Sequence, residues 1–373
     1  MQHVKVESCF VEACKISLST EIAPVIYPQW RSIPGRGEEA SKGARLEVLL
    51  GTEKAVEDFM VDVDWELQSV DDPERYIRTY HDYAYISQDR KDWRMLAAFD
   101  VNGSVTSYKI PLKAGKNYFT HYPAYGLAEL EADLEGWESR GFAVTNYGQS
   151  QKGRPLYCVN PRSPVDERPT LGVIARNHAY ETTGSFCCRG IVDFLCSGED
   201  IATYLLENFN IYILPMTNVD GVEDGMSRYT APDGADLNRY ITRDDAAHKA
   251  LVAFLDQIKP DTLLNYHNWQ SKFYDGMWCY DKFYEEDIRN YMKDLYKDGK
   301  KLNCWTVKGN TPVFEFEKCS MQDYAESKYG TKSVTYEFPW FGRTTQRMEE
   351  IGKISFLAAA LARIREIIEN RQA

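Results

Sequence analysis

The chain lacks any apolar run long enough for a membrane span, which takes about 18 residues. Its most apolar late stretch, Ile354 to Ala362, is about half that length. An excess of positive charge is also missing. The 44 Lys and Arg stand against 56 Asp and Glu, for a net charge of -12. A nucleic-acid or anionic-membrane surface needs the opposite balance, so neither partner is expected. The opening residues Met1-Gln-His-Val-Lys-Val-Glu-Ser alternate polar and apolar and hold no apolar leader core. Paired cysteine spacing is absent too. The 9 Cys are an odd number scattered from Cys9 to Cys319. Cys187, Cys188 and Cys196 fall in a helical pattern and read as small buried hydrophobes. A reducing compartment follows, and the cytoplasm is the expected location. There are no internal repeats and no low-complexity segments. Histidine is scarce at 6 residues, so each one that closes a strand carries weight.

What is present is an ordinary globular composition, 43% hydrophobic and 27% charged over 373 residues, enough for two domains. Residues 1–120 read as an all-β sandwich. His3 to Glu7, Arg45 to Val48 and Met60 to Leu67 alternate with period two. Tyr83 to Ile86, Trp93 to Phe99 and Val105 to Leu112 are further strands. Turn material at Pro34 to Gly37, Asp71 to Pro73 and Asn102-Gly103 separates them. Trp65 and Trp93 read as sandwich core. After Asn117 to Tyr125 the pattern changes. A helix is expected from Leu127 to Trp137, then strands at Val144 to Gly148, Pro155 to Val159, Thr170 onward and Phe209 to Leu214. A helix over Ala246 to Ile258, a strand over Asp261 to Tyr266, a helix near Glu285 to Lys297, a strand over Ser333 to Phe338 and a helix from Gly352 to Glu369 complete it. Residues 121–373 thus predict an α/β domain with a mixed, mostly parallel sheet flanked by helices.

The chemistry gathers at strand ends, where ligands bind in such sheets. Pro169 to Ala175 is an apolar strand, and the loop after it carries His178 and Glu181. A His and a Glu at i and i+3 on one turn can face one ion. A second His, His267, closes the strand Leu263-Leu-Asn-Tyr-His. Two His and one Glu make a common zinc set that keeps a fourth position for water. Glu337 sits inside the apolar run Ser333-Val-Thr-Tyr-Glu-Phe, where an unpaired charge is costly. It reads either as the partner of an Arg such as Arg343 or as a general base whose burial raises its pKa. Arg228 and Arg239 are either solvated loop charges or groups that polarise a carbonyl and clamp a carboxylate.

The order His178-x-x-Glu181, Asn218-x-Asp220-Gly221, Asp236-Leu-Asn238-Arg239, His267, Thr335-x-Glu337 resembles the zinc carboxypeptidases with the carboxypeptidase A-like fold. A β-sandwich ahead of it, joined through Phe-x-x-Tyr-Pro, is similar to the cytosolic carboxypeptidase branch. The resemblance implies one zinc per chain on His178, Glu181 and His267, with Glu337 as general base and Arg228 polarising the scissile carbonyl. It implies that Asn238 and Arg239 hold the C-terminal carboxylate of a peptide or protein, and that Arg154 contacts substrate further upstream. The specificity pocket falls near Gln322 and Asp323, with Lys318 and Lys328 as candidates for an acid-binding pocket. Two departures stand out. Asn268 follows His267 where the family usually has Ser or Gly, and the family's capping Tyr has no clear match among Phe314-Glu-Phe316, Tyr324 and Tyr329.

Two other readings use the same residues. An aspartoacylase-like deacylase of N-acyl amino acids shares the ligand set but usually carries its β domain after the catalytic one. A non-catalytic module that binds C-termini would keep the fold without turnover. Sequence leaves the oligomeric state open.

Overall fold

The computed structural model describes residues 4–12, 15–18, 45–64, 82–103, 105–161, 163–165, 167–228, 236–239, 241, 243–269, 274–279, 281–295, 302–306 and 319–372. The turns expected at Pro34 to Gly37 and Asp71 to Pro73 lie outside these residues, as do Trp65, Lys318 and Phe314 to Phe316.

Two antiparallel sheets form the N-terminal part. One has five strands in the order β1 (Val4–Glu12), β3 (Arg45–Thr52), β9 (Gly115–Thr120), β5 (Tyr83–Ser87), β6 (Arg94–Ala97). The other has four, β2 (Lys15–Leu18), β4 (Val56–Asp64), β8 (Val105–Leu112), β7 (Asp100–Asn102). Alternating residues such as Leu46, Val48 and Leu50 of β3 meet Val61, Val63 and Ile110 of the facing sheet in one apolar cluster. That alternation is the reason these segments are strands with one buried face. The sandwich expected from the sequence is present. Asn117 to Thr120, expected to begin the change of pattern, instead completes β9 between β3 and β5.

The remainder is built on an eight-stranded sheet in the order β10 (Ala143–Gln149), β11 (Pro155–Asn160), β13 (Asn210–Leu214), β12 (Thr170–Ala175), β14 (Thr262–His267), β17 (Lys332–Glu337), β15 (Asp275–Cys279), β16 (Leu302–Thr306). The central strands β13, β12, β14 and β17 run parallel, and antiparallel neighbours flank them. β12 and β14 are buried along their whole length because helices cover both faces. On one face lie α2 (Thr183–Leu195), α6 (Lys282–Leu295) and α8 (Thr345–Gln372), packed on Val173, Leu264, Tyr266 and Tyr336. On the other lie α5 (Ala246–Ile258) and α7 (Met321–Tyr329), packed on Ile174 and Leu263. Helices α1 (Leu127–Ser139), α3 (Asp200–Asn208) and the short α4 (Val219–Glu223) complete the chain.

The two parts share one core. Tyr83, Tyr85 and Trp93 belong to the same cluster as Phe186, Trp340 and Phe356. Trp93 is therefore buried, but against the α/β part rather than inside the sandwich. The Tyr85 hydroxyl donates to the carbonyls of Trp340 at 3.0 Å and Arg343 at 2.8 Å. The Arg45 guanidinium donates to the carbonyls of Gly221 and Val222 within α4 and of Met226 just after it. Cys187 and Cys188 are buried on α2 as expected, whereas Cys196 is half-buried and ends that helix.

Candidate metal and substrate site

β12 ends at Ala175, and the chain turns through Arg176, which holds a positive φ of 60°. A non-glycine residue keeps that conformation where its surroundings hold it there. Here the fully buried Arg176 side chain donates to the carbonyls of Ala179 and Tyr125 and to Ser185 Oγ. It thus braces from within the loop that presents His178 and Glu181. Sequence reading assigned Arg176 no role.

His178 Nδ1 lies 2.9 Å from Glu181 Oε1, and His267 Nδ1 lies 2.6 Å from Glu181 Oε2. All three residues are buried, and one ligand atom from each falls within 4.8 Å of the others. Two imidazole nitrogens and a carboxylate are the donor set of a catalytic zinc site. An ion between them would replace the contacts that the Nδ1 atoms now make with the carboxylate. His178 Nε2 faces Asp236 Oδ1 at 3.3 Å, so a carboxylate sets this imidazole's tautomer from behind. The electrostatics agree. Burial alone drives Glu181 up, but His178 and His267 together pull it well below the ordinary carboxylate range. For His178, burial and Arg228 disfavour the charged ring, and Glu181 with Asp236 outweigh them and raise its pKa. In His267 burial wins, and the pKa falls.

Asp236 organises the next layer. Burial raises its carboxyl, yet His178, Arg228 and Arg239 bring it well below its usual value. Its Oδ2 accepts from Arg228 Nε at 2.9 Å, and its Oδ1 accepts from the Asn238 amide at 2.9 Å. Arg228 is therefore a largely buried member of the site rather than a solvated loop charge. Arg239 Nη1 donates to the Asn238 carbonyl at 2.7 Å, at the same turn. Asn238 Oδ1 accepts from Asn265 on β14, Asn177 donates to Asn265 Oδ1, and Thr217 donates to Asn177 Oδ1. This buried amide relay ties the Asp236 turn to two strand ends. Asn265 had a legible signal: an amide inside the apolar run Leu263-Leu-Asn-Tyr is as anomalous as Glu337 in its own strand.

β14 and β17 place His267 directly opposite Glu337, and β15 places Gly276 on the other side of Glu337. One row down, Asn265, Thr335 and Trp278 are aligned in the same way. Side chains opposite one another share a face, so Glu337 and Thr335 point the way His267 does. Gln322, 5% exposed at the start of α7, donates from Nε2 to Thr335 Oγ1 at 2.6 Å. Arg343, the alternative partner for Glu337, gives both its Nη atoms to Asp275 at 2.7 Å.

Three other expectations sort out differently. Arg154 is brought to α4, where Nη1 meets Asp220 at 2.6 Å and Nη2 meets Asp224 at 3.3 Å. Asn218 caps α4 and donates to the carbonyl of Asn177, next to His178. Lys328 bonds Asp256 and the Tyr324 hydroxyl on an exposed side of α7, which removes it from an acid-binding pocket. Tyr324 and Tyr329 converge on that same Asp256 and are held there. A different Tyr lies at the site. Tyr180 is buried, stacked parallel to His178 with ring centroids 6.5 Å apart, and backed by Tyr122. Asn268 is 1% exposed, and its amide finds no partner among the described residues.

Comparison with known proteins agrees with this geometry. Residues 132–286 match the family model described as zinc carboxypeptidase. An uncharacterized protein of Zymomonas mobilis is 26% identical over 237 residues, 60% of each chain. Human cytosolic carboxypeptidase 6 is 40% identical over 127 residues, 32% of this chain and 25% of that protein. The chain thus spans three-fifths or less of the length of these relatives. A metallo-carboxypeptidase from Burkholderia cenocepacia has the same fold, with a TM-score of 0.75 at 18% identity, covering 98% of this chain and 100% of that one. The strand-end triad of His178, Glu181 and His267 lies within the segment that is similar to the zinc carboxypeptidase family.

Proposed function

We propose that the protein is a metallocarboxypeptidase that removes the C-terminal residue of a peptide or protein. The observation that carries this reading is the register of β14 with β17, which sets Glu337 beside a buried triad of two His and one Glu. His178, Glu181 and His267 hold the zinc. Bound there, zinc supplies Lewis acidity toward a carbonyl and brings the pKa of a water toward about 7. Glu337 takes the proton of the attacking water at its carboxylate and passes it to the leaving amine. Arg228, fixed through Nε by Asp236, turns its guanidinium to the scissile carbonyl and stabilises the charge that develops on its oxygen. Asn238 and Arg239 bind the terminal carboxylate, and Arg154 meets the chain upstream once it leaves Asp220 and Asp224. Residues 1–120 form the β-sandwich unit and 121–373 the catalytic unit. The chain works in the cytoplasm, a placement supported by relatives named cytosolic and by free thiols at Cys9, Cys158, Cys187, Cys188, Cys196, Cys279 and Cys319.

The test is Glu337→Gln. Zinc content by elemental analysis stays at one per chain, while kcat falls by about 10²–10⁴. Undiminished turnover would sink the mechanism. In the same assay, single residues are released from free-acid peptides and not from amidated ones, and a chelator abolishes that release. Hydrolysis confined to N-acyl amino acids would assign the site to a deacylase.

A further inference from the structure

The row next to the site in the strand register has a composition of its own. Thr335 is flanked by Asn265 on β14 and Trp278 on β15, all on the face that carries His267 and Glu337 one row above. Gln322 closes the far side from α7. Over Gly276 lies the ring of Trp269, so close that a Cβ there would fall 2.6 Å from it. The Trp269 and Trp278 rings meet edge to face at 5.1 Å. Thr335, Trp269 and Trp278 are half-buried and keep some exposed surface. A substrate whose terminal peptide bond lay at Glu337 would have its last side chain next to this row.

The row is neutral. Asn265 and Thr335 are uncharged, and three described cations have acidic partners: Arg228 with Asp236, Arg343 with Asp275, Lys328 with Asp256. Gln322 Oε1 is buried and has no partner among the described residues, while its Nε2 is held by Thr335. A buried acceptor without a donor costs free energy that an incoming N–H or O–H recovers. Among the described residues, a carboxylate would face that carbonyl oxygen with no counter-ion, and a cation would enter beside Glu337 with no further acid to receive it.

We propose that this row selects C-terminal residues with a neutral, hydrogen-bond-donating side chain, Gln foremost, its amide on Gln322 Oε1 and its methylenes against Trp278. This rests on the carboxypeptidase reading. The experiment uses the full chain loaded with zinc and N-blocked peptides identical except for a last residue of Gln, Glu, Lys or Leu. Gln and Glu are nearly isosteric, so their ratio isolates charge. The expected kcat/KM for Gln exceeds that for Glu and Lys by at least about tenfold. Gln322→Lys reverses the Gln-to-Glu order, and Gln322→Leu, which adds no charge, shifts preference to Leu. Preference for Glu or Lys in the parent chain, or an unchanged Gln-to-Glu ratio in folded Gln322→Lys, overturns the pocket assignment alone. Cleavage of none of the peptides, with zinc bound, overturns the carboxypeptidase reading and the pocket with it.

Discussion

At the scale of single residues, the metal triad is simple, and its support is what distinguishes it. Asp236 serves three partners at once: His178 Nε2, Arg228 Nε and the Asn238 amide. Carboxylates behind metal-ligating imidazoles fix the ring and raise its basicity, and losing one typically costs 10- to 100-fold in affinity or activity. Asp236→Asn keeps the shape and removes the charge. The expected outcome is zinc affinity weaker by about 10- to 100-fold in chelator competition, together with a lower kcat because Arg228 loses its anchor. Unchanged affinity would mean that Asp236 serves only the loop. His178, Glu181, His267 and Glu337 were legible in the sequence because each breaks an apolar strand or follows one directly. Arg176 and Asn177 were not, since both sit in a loop where a polar residue is unremarkable. Their burial is visible only when Tyr125, Ser185 and Asn265 arrive from distant parts of the chain.

At the scale of elements, most helices and central strands could be read from periodicity. The strands β15 and β16 and the helices α3, α4 and α7 could not. β15 is five residues of Asp-Gly-Met-Trp-Cys, too short and mixed to show a period, and it joins the sheet by pairing with β17. It nevertheless brings Trp278 and Gly276 beside Thr335 and Glu337, a juxtaposition that the sequence did not foreshadow even where it pointed to Gln322. The contact between α2 and α8 depends on two glycines that the sequence shows without explaining. A Cβ on Gly190 would overlap the backbone of Glu349, and one on Gly352 would overlap the backbone of Cys187. A Gly to Ala change inside a helix ordinarily stabilises by about 0.5–1 kcal/mol. Gly352→Ala should instead destabilise by about 2–3 kcal/mol, because backbone cannot yield as a flexible side chain does. Denaturant midpoints would show it, and a gain in stability would mean that the two helices slide apart at little cost.

At the scale of the whole molecule, the division into a sandwich and a catalytic part describes topology better than it describes the core. The hydrophobic cluster under the α/β sheet continues into Tyr83, Tyr85 and Trp93 of the N-terminal strands. Arg45 of β3 satisfies three carbonyls beside α4, and removing it would leave those acceptors buried without it. Aromatic rings run from Tyr83 through His121 and Tyr122 to Tyr180 and the ring of His178. Composition gave no hint of this, because an alternating strand shows that one face is buried and not what buries the strand's other face or its end. The two parts should therefore unfold together. Calorimetry of the zinc-loaded chain is expected to give one transition whose van't Hoff and calorimetric enthalpies agree. Free zinc at about a thousand times its dissociation constant adds about 4 kcal/mol to the folded state. A chelator should accordingly lower the single transition as a unit. If a second transition that ignores the chelator separates out, the sandwich folds by itself, and the shared core does not couple the two parts.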